Sequence, residues 1–214
     1  MRSVALIDYG SGNLRSAEKA LCRAALGLNG GVDVVTTDDP AVIARADGVV
    51  LPGVGAFAAC MAALKDRTGV IEAMGEAVLK RGAPFLGVCV GMQLIAERGL
   101  EFGVTEGLGW IGGEVRKLDP TDPHLKIPHM GWNSLEAVSP SPLFAGLADG
   151  THMYFTHSFA FFADDPSDVA AWTDHGGRFA AAVVRGHIAG VQFHPEKSQA
   201  AGARLLTNFL NWRP

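Results

Sequence analysis

Residues 84–91, with the sequence P-F-L-G-V-C-V-G, join a short apolar run to a stretch of helical character at 92–98. The apolar run has the length of a buried strand, and Gly87 and Gly91 flank Cys89 at two residues on either side. A strand, a sharp turn and a helix with one nucleophile between two glycines form the pattern of a nucleophile elbow, here with cysteine in place of serine. We therefore predict that Cys89 projects from the end of a buried strand.

The predicted turn also supplies favourable electrostatics for a cysteine nucleophile. The first backbone N–H groups of the following helix, beginning at Val90, have no partners inside the helix. They can bind a developing oxyanion, and the positive end of the helix favours the thiolate form of Cys89. The competing interpretation is a cysteine that only packs, because free cysteine is among the most buried residue types.

The order of the apolar segments predicts an α/β fold. Strands alternate with helices through residue 99, which indicates a doubly wound, mostly parallel sheet flanked by helices. After Gly103 the helices give way to short apolar stretches, so that added antiparallel strands and a mixed sheet are expected in the C-terminal half. These stretches are residues 113–118, 134–138, 153–159, 169–172, 179–184 and 188–193. A helix at 198–212 closes the chain, and because nothing resembles a linker we predict a single domain over residues 1–214.

Composition excludes several classes of function. The 214 residues carry a formal net charge of -4 and 19% charged residues, so that no basic surface for nucleic acid is expected. The cysteines Cys22, Cys60 and Cys89 are odd in number and widely spaced, which argues against a disulfide framework and a zinc site. Apolar runs are too short for a membrane span or a signal peptide. We predict a cytoplasmic protein without cofactor, metal, nucleic acid or membrane.

A second candidate element of the site is the loop Pro52–Phe57, P-G-V-G-A-F, which follows a predicted strand. Gly53 and Gly55 let its peptide planes reorient at low cost. Open α/β sheets bind ligands outside the carboxyl ends of their strands, so the amide of Val54 is a candidate second oxyanion donor. An ordinary surface turn explains the local sequence equally well.

The candidate base lies in the segment 190–197, G-V-Q-F-H-P-E-K, just past an apolar strand. Pro195 ends the strand and stiffens the turn, and Glu196 is placed to fix the tautomer of His194. This predicts a triad with Cys89 as nucleophile, His194 as base and acid, and Glu196 as the orienting carboxylate. A lone histidine at a strand end is usually a solvated surface residue. The joint occurrence of the elbow, the glycine loop and His-Pro-Glu favours the triad.

At this point the sequence resembles a known family. The motifs G-V-C-V-G-M-Q and H-P-E are similar to those of the class I, triad-type glutamine amidotransferases. Five further blocks look like the glutaminase subunits of imidazole glycerol phosphate synthases, and the resemblance runs nearly end to end. These blocks are residues 8–16, 52–57, 129–133, 154–159 and 193–198. One departure is Val90, where the family pattern suggests leucine, but the predicted role needs only its backbone amide.

The resemblance implies a reaction, a partner and further site residues. The reaction is hydrolysis of glutamine to glutamate and ammonia, and the partner is a (β/α)₈ cyclase subunit in a heterodimer. With the ammonia, that partner makes imidazole glycerol phosphate and aminoimidazole carboxamide ribotide in histidine biosynthesis. The implied substrate-binding residues are Gly53, Gln93, Thr156, His157 and Ser158. The implied partner contacts are Asn13, Met130, Trp132 and Lys197. We also hypothesise that the partner's substrate reorients the loop around Val54.

Three other functions remain compatible with parts of the pattern. The chain can be an amidotransferase subunit for another acceptor, as in anthranilate or guanylate synthesis. It can be a stand-alone γ-glutamyl hydrolase, although those are commonly secreted or vacuolar. It can be a silent redox-sensing module in which Cys89 is merely oxidised. The H-M-G-W-N and Y-F-T-H-S blocks favour the imidazole branch, and the intact His194 and Glu196 argue against a silent module.

Overall fold

The computed structural model describes residues 2–28 and 30–213. Its strands are β1 (Arg2–Ile7), β2 (Val32–Thr37), β3 (Gly48–Gly53), β4 (Phe85–Cys89), β5 (Arg98–Gly99), β6 (Thr105–Glu106), β7 (Gly113–Lys117), β8 (His129–Ser134), β9 (His152–His157), β10 (Phe159–Ala163), β11 (Val169–Asp174), β12 (Arg178–Arg185) and β13 (Ile188–Val191). Its α-helices are α1 (Leu14–Ala25), α2 (Pro40–Arg45), α3 (Phe57–Lys65), α4 (Val70–Gly75), α5 (Val90–Gln93) and α6 (Gln199–Asn211). A π-helical turn, Glu76–Lys80, continues α4.

A seven-stranded mixed sheet forms the centre, in the order β11-β12-β13-β4-β3-β1-β2. Strands β2, β1, β3, β4 and β13 pair in parallel, whereas β12 and β11 add antiparallel strands at one side. Smaller sheets contain β10-β7-β5-β6 and the pair β8-β9. The predicted α/β fold, with antiparallel strands added in the C-terminal half, is confirmed.

The order of the strands explains where a site can form. Strand β2 lies beside β1 at the edge of the sheet, whereas β3 lies on the other side of β1. Because crossover connections are right-handed, α1 and α2 cover opposite faces of the sheet. The carboxyl ends of β1 and β3 therefore flank a reversal of strand order, which is where open α/β sheets bind ligands. Strand β4, which ends at Cys89, is the next neighbour of β3.

The helix after the elbow is shorter than the sequence predicts. It ends at Gln93 instead of continuing through residue 98. The carbonyl of Leu94 accepts a hydrogen bond from the amide of Leu108 at 2.8 Å, and the carbonyl of Ile95 accepts one from Trp110 at 2.9 Å. These bonds to a distant segment replace helical ones, and because α5 has a single turn it contributes little helix dipole at Cys89.

The block H-M-G-W-N is not among the strands that the sequence predicts. It forms strand β8, which pairs antiparallel with β9 so that His129 lies opposite His157. Met130 and Trp132 lie on the exposed face of β8 and His129 is buried, which inverts the usual alternation of apolar-in and polar-out. The strand expected at 134–138 is reduced to a bridge between Glu136 and Trp172.

One contiguous set of buried apolar side chains links the central sheet to the helices and to the C-terminal strands. It includes β3 and β4, all of whose residues are buried, as expected for parallel strands covered on both faces. Over residues 2–28 and 30–213, none of the helices is long and apolar enough to cross a bilayer.

Candidate active site

Cys89 stands at a strained turn between β4 and α5. Its backbone angles are φ 55 and ψ -112, a region that non-glycine residues rarely adopt. A Cβ added at Gly87 would lie 2.5 Å from the carbonyl oxygen of Gly91. A Cβ added at Gly91 would lie 1.8 Å from the carbonyl oxygen of Leu51 on β3. Both glycines are therefore required because the backbone of the elbow approaches itself and β3 too closely for any side chain.

His194 and Glu196 reach the same edge of the sheet from the end of β13. Strand β13 pairs in parallel with β4, with Val191 opposite Val88, so that the two strands end together. His194 Nδ1 donates a hydrogen bond to Glu196 Oε1 at 2.9 Å, and both side chains are largely buried. This bond fixes the ring so that Nε2 is the nitrogen left for chemistry. Nε2 is buried and has no aligned hydrogen-bond partner among residues 2–28 and 30–213.

The charge state of His194 is set by its neighbours. Burial lowers the pKa of the ring, but Cys89 and Glu196 outweigh this effect and raise the pKa to about 9. Cys89 and His194 line the same cavity, although the Cys89 sulfur and Nε2 of His194 do not form an aligned hydrogen bond. Such loose geometry is common in empty active sites and tightens when substrate binds. At neutral pH the raised pKa keeps the ring of His194 protonated.

Replacing Glu196 with glutamine is expected to lower the pKa of His194 and to slow the glutamine hydrolysis that the sequence resemblance implies by about 100-fold. The pKa of about 9 lies above the ordinary 6.5, so the stabilisation from protonated His194 is complete below pH 6.5 and is lost as pH rises through 9. In Glu196→Gln this stabilisation should be smaller, and its loss should be complete at a lower pH. Unfolding by denaturant and hydrolysis rates, both measured across this pH range, test the prediction. An alkaline limit identical to that of the wild type would contradict it.

The candidate residues surround a cavity of about 320 Å³. The elbow contributes Cys89, Val90 and Gln93, and the glycine loop contributes Val54. The other predicted residues in the lining are Thr156, His157, Ser158, His194 and Lys197. The predicted residues that line the cavity thus come from four parts of the chain, which are the glycine loop, the elbow, residues 156–158 and residues 194–197.

Gly53 does not lie in the wall of this cavity. It ends β3 and lines a much smaller space, of about 10 Å³, together with Asn13 and Glu196. A Cβ on Gly53 would lie 2.7 Å from the amide nitrogen of Gly91 and 2.9 Å from the Tyr9 hydroxyl. The structure thus accounts for Gly53 by the close approach of β3 to the elbow, and its predicted contact with substrate stays a prediction.

The loop that carries Val54 is anchored through its backbone. The carbonyl of Val54 accepts hydrogen bonds from Ser11 Oγ at 2.9 Å and from the thiol of Cys60 at 3.3 Å. Ser11 Oγ and Cys60 Sγ are themselves 3.3 Å apart. The peptide group between Val54 and Gly55 is therefore held from two sides, by the segment before α1 and by α3.

The imidazole of His157 is already occupied by neighbouring groups. Its Nδ1 donates to the carbonyl of Phe159 at 2.9 Å, and its Nε2 accepts from Nδ1 of His129 at 3.1 Å. Burial lowers the pKa of His157 to about 3, and burial together with His175 lowers that of His129 to about 4. Both rings are therefore neutral at neutral pH, and only the backbone of His157 remains for the predicted contact with substrate.

The sequence of the chain matches those of known proteins over nearly its whole length. A family model described as glutamine amidotransferase class-I matches residues 5–212. The chain belongs to this family. Among curated relatives, it is 63% identical to the imidazole glycerol phosphate synthase subunit HisH of Caulobacter vibrioides, over 100% of both chains. It is 56% identical to the same subunit of Rhodospirillum rubrum, over 99% of each chain. The resemblance noted in the sequence blocks is confirmed.

Solved structures agree with the fold of this glutamine amidotransferase. A crystal structure described as a glutamine amidotransferase superimposes with a TM-score of 0.71 at 18% identity, over 97% of both chains. A glutamine amidotransferase from Thermotoga maritima gives a TM-score of 0.59 at 20% identity, over 91% of this chain and 76% of that one. At such identities the likeness supports the fold and nothing finer.

Two polar residues of the amidotransferase site were missed by sequence reasoning. Glu101 lines the cavity, and its Oε2 accepts a hydrogen bond from the amide of Phe57 at 2.8 Å. No local pattern around Glu101 indicates this role. Gln192 is fully buried, and its Nε2 lies 3.6 Å from the sulfur of Cys89. Its place directly after β13, in the segment that also carries His194, was a usable signal because such segments lie at the ligand-binding edge of the sheet.

An exposed surface of this amidotransferase extends from the cavity to β8. Met130 is 64% and Trp132 is 48% exposed, and they share one face of the strand. Trp132 packs edge-on against Tyr154 at 6.0 Å, and Lys197 Nζ lies 5.6 Å above the same ring. Because Lys197 also lines the cavity, this surface is continuous with its wall. Asn13 is exposed separately, and its side chain does not cap α1.

Proposed function

We propose that this chain is a glutaminase that uses Cys89, His194 and Glu196 and delivers ammonia to a cyclase subunit in histidine biosynthesis. The observation that carries the proposal is the buried His194–Glu196 hydrogen bond beside Cys89 at the strained elbow. The HisH name of relatives that match the whole chain supports the choice of pathway and of partner. The same relatives and the continuous core support a single domain over residues 1–214 that works in the cytoplasm.

The charges in the cavity wall suit the amino-acid end of glutamine. A free carboxylate oxygen of Glu101 can bind the α-ammonium group, while the amide of Phe57 holds its other oxygen. The backbone of residues 156–158 also lines the cavity and can receive the α-carboxylate. Gln93 lies on the elbow side, where its free Oε1 can accept a hydrogen bond from substrate. These contacts place the side-chain amide of glutamine toward Cys89.

In the first half of the reaction, the thiolate of Cys89 attacks the amide carbon of glutamine. The oxygen of the tetrahedral intermediate becomes negative and is bound by the backbone amide of Val90 and, after reorientation of its loop, of Val54. The imidazolium of His194 gives its proton to the amide nitrogen, the C–N bond breaks and ammonia leaves. A thioester between the glutamyl group and Cys89 remains.

In the second half, water releases the glutamyl group. Neutral His194 takes a proton from water, and the hydroxyl adds to the thioester carbon. The C–S bond then breaks, glutamate leaves, and the thiolate–imidazolium pair is restored. Glu196 keeps the ring oriented in both halves and stabilises its charged form.

Ammonia has to reach its acceptor before it is protonated in bulk water, so the cavity should face the partner. The exposed surface of Met130, Trp132 and Lys197 is continuous with the cavity and has the aromatic character of an interaction hot spot. We place a (β/α)₈ cyclase against this surface, with Asn13 at its margin. The anchored carbonyl of Val54 supports the idea that the loop is held in one arrangement until the partner's ligand binds.

The test is release of glutamate by the chain alone, with the cyclase, and with the cyclase plus its nucleotide substrate. We expect little release alone and the highest rate in the complete mixture, because loss of one oxyanion donor slows such reactions by about 100- to 1000-fold. Anthranilate and guanylate synthase partners serve as controls and should not stimulate. Stimulation by one of them would assign the chain to that acceptor, and equal rates in all mixtures would contradict the gating of the loop.

A further inference from the structure

Gln192 occupies a position from which it can act directly on the nucleophile. It follows β13, whose Val191 is paired with Val88 of β4, so that Gln192 is the counterpart of Cys89 on the neighbouring strand. The side chain is 0% exposed, and its Nε2 lies 3.6 Å from Cys89 Sγ. A buried amide next to a sulfur has to contribute its hydrogen-bonding groups to the site, because it has no access to water.

The orientation of the Gln192 amide follows from its contact with Gln93, which is itself bound to the backbone carbonyl of Phe159. The carbonyl of Phe159 can only accept, so the Gln93 atom that lies 2.8 Å from it is Nε2, a donor. The same Nε2 lies 3.0 Å from the side chain of Gln192, whose facing atom must be its acceptor Oε1. The other end of the Gln192 amide, which is Nε2, therefore faces the sulfur of Cys89.

We propose that Gln192 is a catalytic residue that donates a hydrogen bond to the Cys89 thiolate and holds Sγ in place for attack. A donor favours the charged form of the group that it binds. This contribution matters here because α5 is a single turn and provides little dipole, while His194 Nε2 is not aligned with the sulfur. The consequence for glutamine hydrolysis rests on the function proposed above, whereas the consequence for the thiolate can be measured without glutamine.

The decisive variant is Gln192→Met, which keeps the length of the side chain and removes the donor without changing a charge. The titratable groups around the sulfur stay in place, and they are Tyr9, Glu101, His157, His194, Glu196 and Lys197. Any change in thiolate formation can then be assigned to the lost hydrogen bond.

The measurement is the rate at which iodoacetamide alkylates Cys89 in the full-length chain as a function of pH. Peptide mass spectrometry separates Cys89 from exposed Cys22 and buried Cys60. In Gln192→Met we expect the pH midpoint to move up by about one unit and the rate at neutral pH to fall about 10-fold. With the cyclase present, kcat should fall while KM changes little, because the substituted group touches the reacting sulfur.

A wild-type alkylation profile in folded Gln192→Met would overturn the proposal. Thr173→Val is the matched control, because it also removes a fully buried polar group, whose hydroxyl has no partner in edge strand β11, and it should leave the profile unchanged. If Gln192→Met does not fold, Gln192→Glu decides. It keeps an acceptor for Gln93 but places a carboxylate near the thiolate, so slower alkylation is expected and an unchanged rate refutes the role. Wild type that alkylates normally but never hydrolyses glutamine would refute only the proposed function.

Discussion

Cys89→Ala is expected to lower glutamine hydrolysis, measured with the proposed cyclase partner present, by a factor on the order of 10⁵. In the proposed mechanism the sulfur is the atom that forms the bond to the amide carbon, and neither His194 nor Glu196 can replace it in that role. Removing a nucleophile of this kind eliminates the covalent route, so only the contribution of binding and of the oxyanion amides remains. Release of glutamate in the presence of the nucleotide substrate measures the effect.

The control for Cys89→Ala is the use of added ammonia by the same complex. The substitution removes one buried sulfur and leaves the exposed surface of Met130, Trp132 and Lys197 unchanged. The cyclase should therefore still bind the variant and should form its products when an ammonium salt is supplied at alkaline pH. Hydrolysis that persists in Cys89→Ala would show that the triad assignment is wrong.

Gly91→Ala is expected to destabilise the protein by roughly 3–5 kcal/mol. The new Cβ would lie 1.8 Å from the carbonyl oxygen of Leu51, which is a backbone atom of central strand β3. No change of rotamer relieves such a contact, so β3 and the elbow must move apart. Denaturant unfolding followed by circular dichroism measures the free energy of unfolding, which totals only about 5–15 kcal/mol in an ordinary domain.

A matched glycine is available as the control for that measurement. Gly75 ends α4 with helical angles of φ -59 and ψ -41, and an added Cβ would meet no atom within 4 Å. Gly75→Ala should therefore stabilise the chain by about 0.4–1 kcal/mol, because it restricts the unfolded state. If Gly91→Ala and Gly75→Ala unfold at the same denaturant concentration, the close approach at the elbow is not a real constraint.

The central sheet was predictable because its signals are local. Short, wholly apolar strands alternate with amphipathic helices, and this pattern specifies a parallel sheet covered on both faces. The length of α5 was not predictable, since Leu94 and Ile95 bond to residues more than ten positions away. Strand β8 was missed because its exposed face carries Met130 and Trp132, which reverses the hydrophobic pattern from which strands are inferred.

The residues of the candidate site likewise divide into those that local motifs indicate and those whose contacts depend on distant segments. Cys89, His194 and Glu196 could be proposed together because each lies in a short motif at a strand end, and strand ends of one sheet meet at one edge. Glu101, Gln192 and the pair Ser11 and Cys60 were not found, since their contacts depend on how loops cross the edge of the sheet. Charge and hydrogen-bonding capacity alone do not reveal such neighbours.

The carbonyl of Phe159 accepts one hydrogen bond from His157 and another from Gln93. The bond from His157 continues to His129 of β8. The bond from Gln93 continues through the amide of Gln192 to the sulfur of Cys89. Two otherwise separate walls of the pocket thus share a single fixed point. As long as these bonds persist, a displacement of one wall also displaces the other. Phe159, the first residue of β10, therefore couples the position of β8 to that of the Cys89 sulfur.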